Sequence, residues 1–289
     1  MPDANPTIPP GDKLADGVLV INLDHRPERL ERFAAMAAGF SQLAGWERLP
    51  AVYGVNLPGY GQPPWFRGGK RDNCWAGRAG CVLSHRNAIA RAHQAGWKSV
   101  LILEDDALFD PGAAASFAEL ATWLDAGDLL WGVCYLGFTK ALPPALRLGE
   151  LGGGRALYRV FGCYTTHAYI VHHTAYDWIL DRLPSERGIW SWLSRHRAID
   201  RWYARQLQAR FPVLAVAPVA CGQVCGFSDI GMRDDGAGRT DEFAVGVPAA
   251  AEVAGSRAFE RRQALRRAAL VAAGWFDWSR SLRKRVRGF

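Results

Sequence analysis

Three adjacent carboxylates, Glu104, Asp105 and Asp106, are the side chains whose types and spacing most clearly suggest chemistry in this sequence. Neighbouring negative charges repel one another, so the pKa of at least one of these carboxyl groups would rise unless a cation neutralised them. Oxygen ligands suit hard divalent cations such as Mg²⁺, Mn²⁺ and Ca²⁺. The triplet therefore predicts a metal site, with an acidic helix N-terminus or a solvated loop as the alternative.

The triplet alone does not name a reaction. Phosphoryl-transfer enzymes, nucleases and nucleotide-sugar transferases all place acids around a metal ion in this way. A metal phosphohydrolase or nuclease with two ions would need a second carboxylate cluster, and the sequence has no second run of three acids. That class is therefore the weaker interpretation.

A strand must position these acids. Residues 100–103 are four consecutive apolar residues that lead directly into the triplet, which is typical of a strand buried on both faces in a parallel sheet. Ligands of such sheets bind outside the carboxyl ends of the strands, where the triplet falls. A predicted helix over residues 77–95 precedes the strand, and this helix-to-strand order is typical of a parallel crossover.

Residues 17–23 form a second apolar run, followed by a turn and a helix that begins near Pro27. Arg26 and Arg29 lie beside this turn. They could pair with a phosphate group or with acids on the helix surface, and spacing does not decide between the two. Further strands are predicted at 46–55, 129–136, 157–163, 167–171 and 213–219, helices at 113–124, 175–183 and 198–210, and loops at 141–154 and 221–230.

The composition is typical of a globular protein, and the length is sufficient for one large α/β domain. Hydrophobic residues make up 49% and charged residues 22% of the 289 residues. The six cysteines include no C-x-x-C pair, so neither a zinc site by cysteine spacing nor a disulfide framework is expected. No signal peptide and no run of eighteen apolar residues is recognisable. We expect a cytoplasmic protein, with the inner face of the cytoplasmic membrane as a peripheral location.

The net charge of +7 is concentrated near the end of the sequence. Residues 256–289 carry ten basic and two acidic residues, so this segment has a net charge of +8. Ala258, Leu265, Ala269, Ala272 and Phe276 recur at helical spacing between the arginines. This pattern predicts an amphipathic helix on an anionic membrane surface. Nucleic-acid binding is the second interpretation and is not expected, and a solvated tail is the third.

Several short motifs follow one another between residues 18 and 230. They are VLVINLD with HRPER (18–29), AVYG (51–54), GxxGCxLSH (77–85), ILEDD (102–106), DLLWGVCYLG (128–137), THAYIV (166–171), Ile199 with Asp200, Gln223, and Ser228 with Asp229 and Ile230. This ordered set resembles glycosyltransferase family 25, which includes bacterial lipooligosaccharide galactosyltransferases and collagen galactosyltransferases.

The resemblance implies an α/β fold of the GT-A type, a single Rossmann-like domain with a mostly parallel central sheet. We expect a flexible tail over residues 1–16, the glycosyltransferase domain over 17–250, and the basic helical segment over 251–289. The resemblance further implies a divalent cation (Mn²⁺ or Mg²⁺), a UDP-sugar donor, commonly UDP-galactose, and transfer with inversion to a glycan or lipid-linked, lipopolysaccharide-type acceptor.

The expected metal site consists of Asp105 and Asp106 as direct ligands, Glu104 as the residue that positions them, and His167 as a further group near the metal or the diphosphate. For donor binding we assign the residues of the matched motifs that offer polar side chains, namely Asn22, Asp24, Arg26, Arg29, Ser84, His85, Gln223 and Ser228. A hydrogen-bonded structural role is the alternative for both histidines.

Inverting transfer needs a base that accepts the proton of the acceptor hydroxyl. Asp200 is the expected base and Asp229 the reserve candidate, while a helix N-cap is the alternative role for Asp200. Two positions depart from the family pattern: Tyr53 stands where Asp is usual, and Arg78 stands where Glu is usual. The alternative function is therefore a catalytically silent GT-A-like module that binds a sugar or a partner.

Overall fold

The computed structural model describes residues 13–66, 68, 71–127, 129–224, 227–228, 230, 233–234 and 243–286, of which 71, 73, 227–228, 233–234 and 274–286 are described by their backbone alone. The strands of this part are β1 (Gly17–Asn22), β2 (Glu47–Pro50), β3 (Ser99–Glu104), β4 (Ala107–Phe109), β5 (Val133–Gly137), β6 (Lys140–Leu151), β7 (Arg155–Tyr164), β8 (Ala168–His172), β9 (Val213–Ala217), β10 (Cys221–Gln223), β11 (Phe227–Ser228) and β12 (Arg233–Asp234).

Among the described residues, eight strands form one central sheet in the order β2-β1-β3-β8-β5-β9-β7-β6. Strand β1 is parallel to β2 and β3, and β5 is parallel to β9. Strands β8 and β7 are antiparallel to both of their neighbours. Six of the eight strands therefore run in one direction, which confirms the predicted α/β fold with a mostly parallel sheet. Two small antiparallel ribbons, β4 with β10 and β11 with β12, lie beside it.

Helices cover both faces of this sheet. They are α1 (Pro27–Ala37), α2 (Arg71–Gln94), α3 (Ala114–Asp125), α4 (Tyr176–Leu180), α5 (Ile189–His196), α6 (Ile199–Trp202), α7 (Gln208–Arg210) and α8 (Ser256–Val286), with a π-helical segment, Tyr203–Leu207, between α6 and α7. Side chains of β3 alternate between two hydrophobic clusters: Val100 and Ile102 pack with α2, whereas Leu101 and Leu103 pack with α1 and α3. Burial on both faces explains the unbroken apolar run.

The predicted loop at residues 141–154 is wrong, because most of it forms the edge strand β6, which pairs with β7. Its two prolines, Pro143 and Pro144, lie where the pairing register shifts between Leu142 and Ala145. A proline is tolerated at an edge or a bulge because no ladder N–H is needed there. Similarly, the predicted loop at 221–230 begins with a strand, β10, which pairs with β4.

The folded domain begins earlier than the predicted boundary at residue 17. Leu14 and Ala15 are buried in the cluster that contains α1 and α3. The Asp16 carboxylate accepts hydrogen bonds from the backbone N–H groups of Lys98 and Ser99, at 2.6 and 3.2 Å. These contacts attach residues 14–16 to the start of β3.

Helix α8 is present where the basic helical segment was predicted, and it packs on the domain through residues outside the predicted apolar stripe. Phe259 is fully buried, whereas Leu265 is 71% exposed. The Arg266 guanidinium donates to the Pro143 carbonyl at 2.9 Å, and Arg159 of β7 pairs with Glu260 at 2.8 Å. No helix in the described part of the chain combines the length and the hydrophobicity that a membrane span requires.

Candidate active site

A cavity of about 430 Å³ opens at the carboxyl ends of β1 and β3. All three acids of the triplet line it. Opposite them are the turn after β1, the loop after β2 and one face of α2. The residues that contribute are Ile21, Leu23, His25, Arg26, Arg29, Ala51, Val52, Tyr53, Gly54, Val55, Ala76, Gly77, Gly80, Cys81, Ser84, His85, Glu104, Asp105, Asp106 and Ile230.

Asp105 is held from the side of β1. The Asn22 amide donates to Asp105 Oδ2 at 2.8 Å and to the Arg26 carbonyl at 2.9 Å, which joins the β1 turn to the end of β3. Arg29, in the first turn of α1, donates to Asp105 Oδ1 at 2.9 Å. Burial and the Glu104 charge raise the pKa of the Asp105 carboxyl against the opposing effects of Arg29 and Asn22. Both oxygens of this carboxylate are therefore engaged by protein donors.

Glu104 faces the other way, toward α2 and β8. Its Oε1 lies 3.2 Å from His85 Nε2, and the Thr166 hydroxyl donates to the same oxygen at 3.3 Å. Burial acts to raise the pKa of this carboxyl, but the hydrogen bonds of His85 and Thr166 and the charges of His85 and His167 outweigh it, so the pKa is lowered. Glu104 is thus held as an anion at the cavity wall.

Asp106 lies in the turn between β3 and β4. The Gln223 amide is 3.4 Å from each of its carboxylate oxygens, and the Val224 N–H donates to its carbonyl at 2.8 Å. Burial, followed by the charges of Glu104 and Asp105, raises the pKa of the Asp106 carboxyl to about 7, although Arg29 and Gln223 oppose the shift. Of the three acids, Asp106 is the one whose charge the surrounding protein compensates least.

The loop after β2 contacts α2 closely enough to require glycine on both sides. A Cβ on Gly54 would lie 1.8 Å from the Ala76 carbonyl oxygen, and one on Gly80 would lie 2.2 Å from the Val52 carbonyl oxygen. Ser84, which is buried, accepts from the Val52 N–H at 2.8 Å and donates to the Gly80 carbonyl at 2.7 Å. These contacts fix one wall of the cavity.

Tyr53 and His25 form an aromatic pair at the cavity. Their ring centroids are 4.8 Å apart, and Tyr53 is 45% exposed. Tyr53 is therefore a large, solvent-accessible ring beside the acids, at the position where the family pattern has Asp.

Seven of the residues assigned from sequence line the cavity: Arg26, Arg29, Ser84, His85, Glu104, Asp105 and Asp106. Asn22 and Gln223 contact the acids from outside the lining. Asp24 is on the surface, where it pairs with Arg48, so the structure gives it no contact with the cavity. His167 is buried and donates through Nε2 to the Cys221 carbonyl at 3.2 Å, which is the structural alternative for this residue.

Of the two candidate bases, Asp200 lies within the described part of the chain. Asp200 is the second residue of α6, behind an N-cap at Ala198, so the predicted cap role is wrong. Its charge contributes to raising the pKa of Cys81, a cavity residue, after burial and Glu104. Asp229 lies outside the described residues, and the Ser228 side chain is likewise outside the description.

Sequence reasoning missed Cys81, which faces Glu104 from α2, and the tyrosine pair behind His85. The His85 Nδ1 lies 2.9 Å from the Tyr169 hydroxyl, which is 3.2 Å from the Tyr203 hydroxyl. The four-residue spacing of Cys81 and His85 places both on one helix face, and this signal could have been read from the sequence.

No family model matches the chain. A glycosyltransferase 25 family member of Drosophila pseudoobscura pseudoobscura is 36% identical over 110 residues, which are 33% of this chain and 16% of that protein. An inactive glycosyltransferase 25 family member 3 of Homo sapiens is 30% identical over 139 residues, 44% of this chain and 22% of that protein. Procollagen galactosyltransferase 1-B of Xenopus laevis is 29% identical over 138 residues, with the same coverage.

The matched part spans less than a quarter of the length of these relatives. Among solved structures, a glycosyltransferase involved in the glycosylation of the major capsid of PBCV-1 gives a TM-score of 0.38 at 10% identity, over 74% of this chain and 95% of that one.

Proposed function

We propose that this chain, a relative of glycosyltransferase family 25, transfers a sugar from a nucleotide-sugar donor to a hydroxyl group of an acceptor. One observation carries the proposal: Glu104 and Asp106 face a single cavity at the carboxyl ends of β1 and β3, with Arg26 in the same lining. Anionic oxygens for a cation and a guanidinium for phosphate are the groups that a sugar diphosphate requires.

The residues present fit a hard divalent cation, Mn²⁺ or Mg²⁺. Glu104 and Asp106 supply oxygen donors, and the raised pKa of Asp106 reflects negative charge that the protein does not fully compensate. Asp105 has both oxygens engaged by Asn22 and Arg29, so in this proposal it anchors the site instead of binding the ion directly. When bound, the cation acts as a Lewis acid that stabilises the charge of the departing diphosphate.

The other residues of the cavity bind and orient the substrates. Arg26 is the candidate partner for a donor phosphate, because it lines the cavity and its ion pair with Glu28 is a long one, at 3.7 Å, on the surface of α1. Tyr53 offers an exposed ring on which a nucleobase can stack. Asp200 is the proposed general base, which takes the proton of the acceptor hydroxyl as its oxygen attacks the anomeric carbon. UDP-galactose, and a glycan or lipid-linked glycan, are the proposed donor and acceptor.

Asp106→Asn tests the proposal against the control Asp125→Asn, a substitution at an exposed position on α3. We expect wild type and D125N to show Mn²⁺-dependent thermal stabilisation by one UDP- or GDP-sugar and Mn²⁺-dependent release of the nucleotide. We expect D106N to lose both. Without the cation it should be as stable as wild type or more so, since a repelling charge is removed. Equal turnover by D106N, or by wild type in excess chelator, would contradict the proposed metal role.

A catalytically silent binding module is the second candidate function. The pairing of Arg29 with Asp105 favours it, because one of the three acids is already neutralised by the protein. The same experiment separates the two functions. A silent module that has lost donor binding would show no Mn²⁺-dependent stabilisation by any UDP- or GDP-sugar and no release of nucleotide, although it is folded.

For α8 we propose contact with an anionic membrane surface at the cytoplasmic face. Arg257, Arg261 and Arg262 are exposed on this helix, together with Leu265 and Val271. Replacing the three arginines by glutamate should abolish co-sedimentation with vesicles that contain phosphatidylglycerol. Unchanged co-sedimentation of this variant, or equal binding of wild type to phosphatidylcholine vesicles, would contradict the proposal.

A further inference from the structure

Three side chains of the cavity offer ligand atoms of three different kinds. Cys81 Sγ, His85 Nε2 or Nδ1, and a Glu104 carboxylate oxygen lie within 4.8 Å of one another. Cys81 and His85 are four residues apart on α2, so they share one face of the helix, and Glu104 meets them from the end of β3. One helix and one strand therefore supply all three ligand atoms.

The environment of His85 leaves its Nε2 directed at Glu104. The Tyr169 hydroxyl lies 2.9 Å from His85 Nδ1, and His85 Nε2 lies 3.2 Å from Glu104 Oε1. Nε2–H donates to Glu104 in the absence of an ion, and a cation bound by both atoms would take the place of that proton. A hydrogen bond at the second ring nitrogen is also what commonly orients a metal-binding histidine.

The carboxylates of Glu104, Asp200 and Asp106 place negative charge near the Cys81 thiol. A bound cation would offset this charge and the burial of the sulfur, because a thiol loses its proton when it coordinates a metal ion. A thiolate, an imidazole and a carboxylate together suit Zn²⁺ or Co²⁺, whereas Mg²⁺ and Mn²⁺ prefer oxygen ligands alone. All three residues line the cavity, so a further coordination position would face the substrate space.

We propose that Cys81, His85 and Glu104 form a second cation site, selective for Zn²⁺-like ions, which shares Glu104 with the hard-cation site of Asp106. Because one carboxylate serves both sites, Zn²⁺ binding withdraws a ligand from Mn²⁺. The site itself stands on the geometry of these three residues, and only the consequence for Mn²⁺ rests on the proposed function.

Co²⁺ spectroscopy of the full chain tests the site directly. We expect one equivalent of Co²⁺ to give a thiolate-to-Co²⁺ charge-transfer band that Zn²⁺ removes. Cys81→Ser should abolish the band and weaken Zn²⁺ binding at least tenfold. Cys74 lies earlier on the same helix and provides the control. Cys74→Ser should leave the band and the Zn²⁺ affinity unchanged. Absence of the band in wild type, its persistence in C81S, or its loss in C74S would each overturn the proposal.

Two further variants keep the experiment decisive. Asp106→Asn should lose Mn²⁺ binding but retain the Co²⁺ band, so that failure of the proposed function and failure of this site give different results. His85→Gln should still show a weak thiolate band, and its affinity for Co²⁺ should be at least tenfold lower than that of wild type. Thermal melting of each variant reports whether it folds. If C81S does not fold, an unchanged Co²⁺ affinity in H85Q overturns the site on its own.

Discussion

Glu104, Asp105 and Asp106 are neighbours in the chain, but their carboxylates contact different elements. Glu104 contacts α2 and the residues just before β8, Asp105 contacts the end of β1 and α1, and Asp106 contacts β10. Successive side chains at the end of a strand point in different directions, so one short motif supplies an anchor and two cavity-facing acids. The three acids therefore have different roles.

Asp105→Asn tests the anchoring role. The substitution leaves only one oxygen to accept the hydrogen bonds of Asn22 and Arg29, so we expect the free energy of unfolding to fall by about 1 kcal/mol. The loss stays small because burial opposes the Asp105 charge, as its raised pKa indicates. Cation affinity should fall less than in D106N. Urea denaturation and Mn²⁺ titration measure the two effects, with D125N as the reference. A larger loss of Mn²⁺ affinity in D105N than in D106N would instead make Asp105 a direct ligand.

Among the elements, α8 is the one whose packing differs most from its sequence pattern. The ring of Phe259 is buried beneath the Arg159 guanidinium, whose carbon is 4.8 Å from the ring centroid. Arg266 similarly lies over Phe161 of β7, at 4.7 Å. The face of α8 that packs on the edge of the sheet is therefore aromatic and arginine-rich, while alanines and Leu265 remain exposed.

Phe259→Ala and Leu265→Ala distinguish the packed face of α8 from the exposed one. Loss of a fully buried phenylalanine should lower the free energy of unfolding by about 3–5 kcal/mol, whereas the change at the exposed Leu265 should stay within about 0.5 kcal/mol. Thermal or urea denaturation of both variants measures the difference. Similar small effects in both would mean that α8 does not stabilise the domain.

Asp110 and Arg155 connect the ribbon of β4 and β10 to the far strands of the sheet. Asp110 follows β4, and its carboxylate pairs with Arg155 at the start of β7. Arg155 is buried and donates to the Gly153 carbonyl at 3.3 Å and to the Val219 carbonyl at 3.5 Å. The pair thereby joins β4, β7 and the segment between β9 and β10. That segment leads into β10, whose Gln223 contacts Asp106.

The Asp110–Arg155 pair predicts a pH-dependent contribution to stability. Burial acts to raise the pKa of Asp110, but the hydrogen bond and charge of Arg155 and the Gly112 N–H outweigh it, so the pKa lies below its ordinary 3.8. A carboxyl with a lowered folded-state pKa stabilises the protein above 3.8, and this stabilisation is lost as the pH falls through the lowered value.

We therefore expect Asp110→Asn to reduce the free energy of unfolding by about 1–3 kcal/mol at pH 7, a figure reduced for the partial exposure of Asp110. The difference from wild type should shrink as the pH approaches 3. Urea denaturation at both pH values measures it, and D125N, with its exposed carboxyl, should show no such trend. An equal difference at pH 7 and pH 3 would contradict the assignment of the stabilisation to the ionised pair.

The parts of this protein that depend on near neighbours follow from the order of its amino acids. Apolar runs specify β1 and β3, since burial on both faces selects such runs, and the position of Glu104, Asp105 and Asp106 after β3 locates the site at the carboxyl edge of the sheet. Helical periodicity likewise gives α1 and much of α2. These features depend on residues within a few positions of one another.

The contacts between groups that are distant in sequence depend on how the elements pack together. Asn22 contacts Asp105 across 83 residues of chain, and His85 meets both Glu104 and Tyr169. The pairing of the proline-bearing β6 and the packed face of α8 also depend on partners far away in sequence. Local periodicity contains no information on such pairings, because they are selected by how whole elements pack and by which buried charges that packing brings together.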